Sequence, residues 1–364
     1  MNQLDFDRKI MQRCLQLAQQ GSGKTSPNPL VGSVIVQNWE IVGEGFHPKA
    51  GASHAEIFAL RNAQEKAKEA TVYVNLEPCN HYGRTPPCTE ALIKAGVKKV
   101  VIGMVDPNPL VSGKGVEKLK QSGIEVVIGV EEAACRQLNE AFIYRVLHQK
   151  PLGILKYAMT LDGKIAATTG HSTWVTGKSS RQLVHQVRAA CDAVVVGGNT
   201  VRQDNPNLTT HQVVGSNPLR VVMSRSLDLP LQANLWQTDI APTLVFTEIN
   251  SNPKFREKLG HQGVEVIELT SLTPLEVMKV LYQKGLSSVL WECGETLAAQ
   301  AIADGVIRKI MAFIAPKIIG GLTAPSPIGD LGLKQMTEAL EIQRITLSQI
   351  DQDILVEGYL SILN

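Results

Sequence analysis

The chain has 364 residues, 44% of them hydrophobic and 19% charged, with a formal net charge of +2 at neutral pH. This length calls for two domains, and the composition is that of an ordinary soluble globular protein. The near-balanced charge argues against electrostatic binding to nucleic acid or to a membrane surface. No apolar run nears the roughly 18 residues that mark a membrane span. The opening MNQLDFDRKIMQRCLQLAQQ lacks the apolar core of a secretory signal. The six cysteines, at 14, 79, 88, 135, 191 and 293, form no compact disulfide framework. A reducing cytoplasm is therefore expected.

In chain order, residues 5–20 predict a helix with Ile10, Cys14, Leu17 and Ala18 on one stripe, followed by strands over 31–37 and 40–46. A helix is expected over 53–70 and a buried strand over 71–76. Pro86-Pro87 opens a helix over 88–95 that Gly96 stops. A strand over 99–104, a helix over 115–122, a strand over 124–130 and one long helix over 131–148 complete this half. Lys150-Pro151 marks a boundary, giving domains 1–148 and 149–364. After a strand beginning at Leu152, the second half reads as helices over 179–191, 274–284 and 295–303. Its strands are expected over 193–197, 219–223, 243–247, 288–292 and 309–315, with an antiparallel pair over 342–347 and 354–361. Alternating strands and helices place both halves in the α/β class.

The chemistry concentrates in His54-Ala55-Glu56, Pro78-Cys79 and Cys88. Imidazole and thiolate are zinc ligands, and a catalytic site keeps three protein ligands with a fourth position for water. Zinc deaminases add a non-ligand glutamate two residues after the histidine, which moves protons. Taken singly, each residue has a plainer reading. Ser53-x-x-Glu56 also fits a helix capping box, His54 fits a surface position, and free cysteines are commonly buried. Their co-occurrence at element ends favours zinc. Nucleoside and polynucleotide deaminases space their cysteines as Cys-x-x-Cys, whereas here eight residues, 80–87, intervene and carry His81 and Arg84.

Ala18-x4-Gly23-Lys24-Thr25 imitates a phosphate-binding loop, but such a loop follows a strand and opens a helix. Here a helix precedes it and Pro27 and Pro29 obstruct one after it. In the second half, no Gly-x-Gly-x-x-Gly follows a strand, which argues against a Rossmann fingerprint. Two glycine turns stand out, Gly197-Gly198 within VVVGGNTVRQDNP and Gly294 within WECGETLAAQ. At both, backbone can approach a ligand, and the second opens a helix whose amides suit a phosphate, although sequence alone favours the plainer reading of turn-forming glycines.

The segments SPNPLVGSVIV, HAEIFAL, VNLEPCNHYGRTPPCTEALI and GMVDPNPLVSGKG closely resemble the bifunctional riboflavin-biosynthesis deaminase/reductase family. LKYAMTLDGKIA, STWVTG and APKIIGG extend the resemblance over nearly the whole chain. It implies an N-terminal cytidine-deaminase-like three-layer α/β/α domain and a C-terminal dihydrofolate-reductase-like α/β domain. It implies that His54, Cys79 and Cys88 bind Zn2+, that Glu56 is catalytic, and that Asn28, His47, His81 and Arg84 contact a phosphoribosylated pyrimidine. NADPH would meet Ala158, Trp174, Thr200, Asp204 and the run Gly294, Glu295, Thr296, Leu297, Ala298, Ala299 and Gln300. Lys156, Ser172, Arg188, Leu208, His211 and Glu292 would take the reductase substrate, with Asp162 nearby. Arg188 suits bidentate binding of a phosphate.

His211 stands where related sequences often carry arginine, and Ser224-Arg225 replaces a commoner Asp-Ser pair. A homo-oligomer is expected, without nucleic acid or membrane partners. Two readings compete with the bifunctional enzyme. One is a nucleic-acid or nucleoside deaminase with an accessory domain. The other is a structural zinc module, with His81 as the fourth ligand that such a site requires.

Overall fold

The computed structural model describes residues 2–82, 86–211, 213 and 215–361. The chain divides into two compact units, Met1–Gln149 and Lys150–Asn364. The first contains α1 (Gln3–Gln19), β1 (Gly32–Gln37), β2 (Glu40–Phe46), α2 (Ala55–Ala63), β3 (Thr71–Leu76), α3 (Cys88–Lys94) and β4 (Lys99–Met104). It continues through α4 (Lys114–Gln121), β5 (Glu125–Ile128), α5 (Glu132–Leu138) and α6 (Glu140–His148). Its sheet runs β2-β1-β3-β4-β5, antiparallel across the first three strands and parallel across the last three.

Side chains alternate between the two faces of a strand, so β1 sends Val34 and Val36 to one core and Ile35 to the other. Met11, Cys14 and Leu17 of α1 and Cys135 of α5 cover the first face. Ala59 and Ala63 of α2, Leu92 of α3 and Leu119 of α4 cover the second. Helices on both faces make the three-layer arrangement. Helix α2 lies almost directly on β2. A Cβ at Gly43 would stand 2.4 Å from the Ala59 carbonyl oxygen, and one at Gly45 would stand 2.5 Å from that of Ala55. Two glycines thereby fix where α2 begins.

Two expected helices are shorter than their sequence pattern. The one over 53–70 is α2 followed by a 3-10 turn, Gln64–Ala67. The one over 131–148 breaks at Asn139, whose φ and ψ of −101° and 20° leave the helical region. Its buried side chain bonds to the distant backbone of Leu30.

The second unit comprises β6 (Leu152–Thr160), α7 (Lys178–Ala190), β7 (Ala193–Gly197), α8 (Gly198–Asp204), β8 (Leu219–Met223), β9 (Thr243–Glu248) and α9 (Pro253–His261). It ends with β10 (Glu265–Leu269), α10 (Pro274–Gln283), β11 (Ser288–Trp291), α11 (Glu295–Ala303), β12 (Lys309–Ala315), β13 (Ile342–Ile350) and β14 (Asp353–Leu360). Its nine-stranded sheet runs β10-β9-β8-β7-β11-β6-β12-β14-β13. The strands are parallel from β10 to β12, and β14 and β13 are antiparallel additions. Parallel strands buried on both faces are almost wholly apolar, as Val194, Val195, Val196, Val289, Leu290 and Trp291 show.

The sequence reading passed over α8, α9 and β10. Helix α9 had its signals. Asn252 caps it, accepting from the Phe255 N–H at 3.1 Å, and Pro253 occupies its first turn. Phe255 and Leu259 are its only buried residues, so a largely charged surface hid its apolar stripe.

Candidate active sites

His54 is the N-cap of α2, Cys88 is the first residue of α3, and Cys79 follows the end of β3. His54 Nδ1 lies 3.2 Å from Cys88 Sγ and 3.4 Å from Cys79 Sγ, and the Cys88 N–H donates to Cys79 Sγ at 3.3 Å. The three ligand atoms lie within 4.8 Å of one another. Tetrahedral zinc bonded to sulfur and nitrogen sets its ligand atoms about 3.5–3.8 Å apart, so the donor set and its spacing fit that ion. By themselves the thiols are unequal. Hydrogen bonding from Cys88, and then from His54, holds Cys79 at about 4, while the same contact and burial push Cys88 up. A divalent cation stabilises both as thiolates.

Glu56 lies in the first turn of α2, is 3% exposed, and has no partner for Oε2. The capping box does not form, because His54 rather than Ser53 is the N-cap and no side chain caps the helix. Burial, and then the neighbouring Cys79, raise the Glu56 carboxyl to about 7. A buried polar atom without a partner is costly, and a carboxyl near neutrality suits proton transfer.

His47 is buried beside this group, its ring 5.6 Å from that of His54. Its Nδ1 faces the Ser53 carbonyl at 3.0 Å and its Nε2 faces Asn28 Nδ2 at 3.1 Å. Those partners favour the proton on Nδ1, and burial lowers the His47 pKa from its ordinary value. His81 is exposed and stands outside the metal-capable group among the described residues. This removes the fourth protein ligand that a structural zinc module needs. Arg84 lies outside the described residues. Sequence reasoning missed Glu77, a buried carboxylate that accepts from the N–H groups of Asp106, Gly113, Gly115 and Val116 at 2.8–3.1 Å. It ties the start of α4 to the Pro78-Cys79 loop, and its one visible signal was its place just before Pro78.

In the second unit, Glu292 follows β11 and gathers Arg188 of α7 and Lys156 of β6. Arg188 Nε and Nη2 donate to it at 2.5 and 3.0 Å, and Lys156 Nζ donates at 3.4 Å. Burial alone would raise the Glu292 carboxyl, but the two cations outweigh it and hold the group at about 2. Arg188 Nη1 donates to the Thr209 carbonyl at 3.1 Å. The guanidinium edge expected to grip a phosphate is thus already engaged by Glu292. His185 and His211 stack at 4.4 Å beside Arg188. Burial, and then Arg188 and His211, push His185 down to about 4.

The family profile of the cytidine and deoxycytidylate deaminase zinc-binding region matches residues 4–104, and that of the RibD C-terminal domain matches residues 151–356. This chain belongs to the RibD family. Riboflavin biosynthesis protein RibD of Synechocystis is 61% identical over 354 residues, covering 97% of this chain and 96% of that protein. RibD of Aquifex aeolicus is 44% identical over 354 residues, covering 97% and 98%. Among solved structures, Acinetobacter baumannii RibD superposes with a TM-score of 0.88 at 40% identity, covering 99% of this chain and 100% of that one. A diaminohydroxyphosphoribosylaminopyrimidine deaminase/5-amino-6-(5-phosphoribosylamino)uracil reductase from Thermotoga maritima gives 0.87 at 36%, with the same coverage. As a RibD, the chain is a zinc-dependent deaminase and a reductase of riboflavin biosynthesis. A nucleic-acid deaminase with an accessory domain is not favoured. No helix among the described residues is long and apolar enough to cross a membrane.

Within this RibD reductase unit, the residues expected around a cofactor fall at the ends of parallel strands, where open α/β sheets bind ligands. Ala158 is half-buried on β6, and Thr200 and Asp204 lie on α8. Gly294 is the N-cap of α11, with no capping side chain and open space where a Cβ would stand. The uncapped amides of that first turn fit a diphosphate. Leu297 approaches Gly197, so the two glycine turns adjoin. Thr296 and Gln300 are exposed, and Ala299 is buried. Ala298 has no exposed surface and belongs to the core. The Glu295 carboxylate accepts from Ser326 N–H at 3.1 Å.

Trp174 is 65% exposed, with the Arg181 guanidinium 4.4 Å from its ring. Ser172 is half-buried, Leu208 buried and His211 exposed, the last two at positive φ on either side of Thr209. Asp162 accepts from the Thr160 hydroxyl and from Ile319 and Gly320 N–H groups, and so holds the Lys317–Gly321 turn. Ser224 is buried against Gly198, while Arg225 is exposed.

Proposed function

We propose that this enzyme deaminates 2,5-diamino-6-(5-phosphoribosylamino)pyrimidin-4-one and then reduces the ribosyl group of the product to a ribityl chain. The observation carrying this reading is the convergence of His54, Cys79 and Cys88 beside the buried, unpartnered Glu56 oxygen. The names of the relatives, including the Thermotoga deaminase/reductase, supply the substrate class. His54, Cys79 and Cys88 would hold zinc, which would supply an acidified water as nucleophile. Glu56 is placed to accept a proton from the attacking water and to return protons to the ring nitrogen and to departing ammonia, acting as base and then acid. A carbon–oxygen bond replaces the carbon–nitrogen bond, and water and substrate balance product and ammonia. Asn28 and His47 bind the pyrimidine, and His81 and Arg84 of the inserted loop are further contacts to it.

In the second unit, NADPH supplies the hydride. Ala158, Trp174, Thr200, Asp204 and the run Gly294 to Gln300 hold the cofactor. Glu292 holds Lys156 and Arg188 in place through its ion pairs, and with Ser172, Leu208 and His211 they bind the ribosylamino end. The deaminase occupies residues 1–148 and the reductase 149–364, in a cytoplasmic homo-oligomer acting on a small molecule without nucleic acid or membrane. A coupled assay on the purified chain tests the sequence of steps. Ammonia release must precede substrate-dependent NADPH oxidation. Glu56→Gln must block both with the diamino substrate and leave NADPH oxidation intact with the deaminated intermediate. Retained ammonia release in that variant would falsify the role of Glu56.

A further inference from the structure

Asn139 occupies the single-residue gap between α5 and α6 and is 2% exposed. A polar side chain so buried needs partners, and Asn139 finds them on one residue far away in the chain. Its Oδ1 accepts from the Leu30 N–H at 2.8 Å, and its Nδ2 donates to the Leu30 carbonyl at 3.0 Å. Asn75 of β3, with no exposed surface, donates Nδ2 to the same carbonyl at 2.9 Å and accepts from the Gly32 N–H at 2.8 Å. Two side chains therefore occupy the N–H of Leu30 and both lone pairs of its carbonyl.

Residues 20–31 join α1 to β1 and contain no regular element. Their internal backbone bonds are short-range, such as Lys24 N–H to Gly21 and Asn28 N–H to Thr25. From outside the segment, the Ala50 N–H donates to the Lys24 carbonyl at 3.2 Å and the His47 N–H to the Val31 carbonyl at 2.9 Å, and the side-chain bonds at Leu30 add a further anchor between them that restricts the backbone's freedom. Two residues before Leu30 stands Asn28, whose amide meets His47 Nε2, while His47 Nδ1 donates to Ser53, the neighbour of His54. A continuous path thus runs from Asn139 through Leu30, Asn28 and His47 to the edge of the zinc cluster. It stops short of Glu56 and meets the zinc ligands only through the edge-to-face approach of the His47 and His54 rings, 5.6 Å apart.

We propose that Asn139, seconded by Asn75, is a positioning residue that fixes the substrate-binding edge of the deaminase site by clamping Leu30. The inference rests on the reading of Asn28 and His47 as substrate contacts. Because the clamp serves binding rather than proton transfer, its loss raises KM and leaves kcat nearly unchanged.

The test measures ammonia-release kinetics of the full chain in Asn139→Ala, Asn139→Asp, Asn28→Ala and the Asn28→Ala/Asn139→Ala pair. Zinc content and NADPH oxidation on the deaminated intermediate are read in parallel, so that misfolding of either unit is seen directly. Loss of one buried hydrogen-bonded pair predicts a KM rise of about tenfold in Asn139→Ala. Asn139→Asp keeps the acceptor for Leu30 N–H but turns an oxygen towards the carbonyl, and should raise KM further. Both variants should keep zinc and reductase activity. The double variant should be no worse than Asn28→Ala, because both changes break one linkage. An unchanged KM in Asn139→Ala overturns the inference, as does a joint fall of kcat and zinc content. A KM rise in Asn28→Ala alone overturns the clamp and spares the substrate reading. No effect in Asn28→Ala overturns both.

Discussion

The deaminase cluster draws its metal-binding groups from residues 54–88, all at the ends of adjoining elements, whereas the reductase charge cluster joins Lys156, Arg188 and Glu292. Their electrostatics also differ. In the first, Glu56 is buried without a partner at Oε2 and its carboxyl is raised to about 7, the condition of a group that exchanges protons. In the second, two cations hold Glu292 at about 2, so it stays ionised and the cluster holds its shape. One site is arranged to change charge and the other to keep it.

The strongest way to break this contrast is to remove the metal. Cys88→Ser, or chelation, should abolish ammonia release while NADPH oxidation on the deaminated intermediate continues. Metal analysis alongside both assays checks it, and a parallel loss of reduction would show that the sites are not functionally separate. Glu56→Gln comes next. Deamination should fall by about 10²–10⁴-fold, the contribution typical of a positioned acid–base group, with bound zinc unchanged.

On the reductase side, Glu292→Ala strands two cations whose side chains are only 12% and 18% exposed. Breaking such a buried pair costs about 3–5 kcal/mol, which denaturant unfolding of the second unit would record. Deaminase activity should survive.

The pH dependence follows from the direction of the Glu292 shift. Its folded value, about 2, lies below the ordinary carboxylate value of about 4.3. Its stabilising contribution is therefore present above that ordinary value and is lost as pH falls through the folded one. The unfolding midpoint of the second unit should drop between about pH 4.5 and pH 2, and Glu292→Gln should flatten that component. The smallest effect is expected at the cap of α9, where Asn252→Ala should destabilise the same unit by about 1 kcal/mol without changing either activity.

The contrast also explains which parts of the molecule were readable from residue order. Strands such as Thr71–Leu76, Lys99–Met104 and Ala193–Gly197 are short apolar runs bounded by turn signals, and they appear where that pattern places them. The helix over 131–148 was misread because periodicity cannot register a distant partner. Asn139 looks like an unremarkable helical residue until Leu30 is brought beside it. The edge strand Glu265–Leu269, Glu-Val-Ile-Glu-Leu, was missed because it shows no period-two alternation and gains meaning only once β9 lies alongside.

His54, Glu56, Cys79 and Cys88 could be recognised from type and spacing, because zinc chemistry accepts few ligand types and element ends keep them near one another. The order of charged partners in the reductase unit could not. Arg188 carried a plausible phosphate-binding role, and only the folded sheet, which sets β11 between β6 and β7, directs its guanidinium to Glu292. Likewise, only packing shows that Ala298 of the glycine-led turn lies in the core. Local chemistry is written in residue identity and short spacing. Pairing between remote residues depends on which surfaces the core brings together, and the hydrophobic pattern specifies those surfaces without naming the partners.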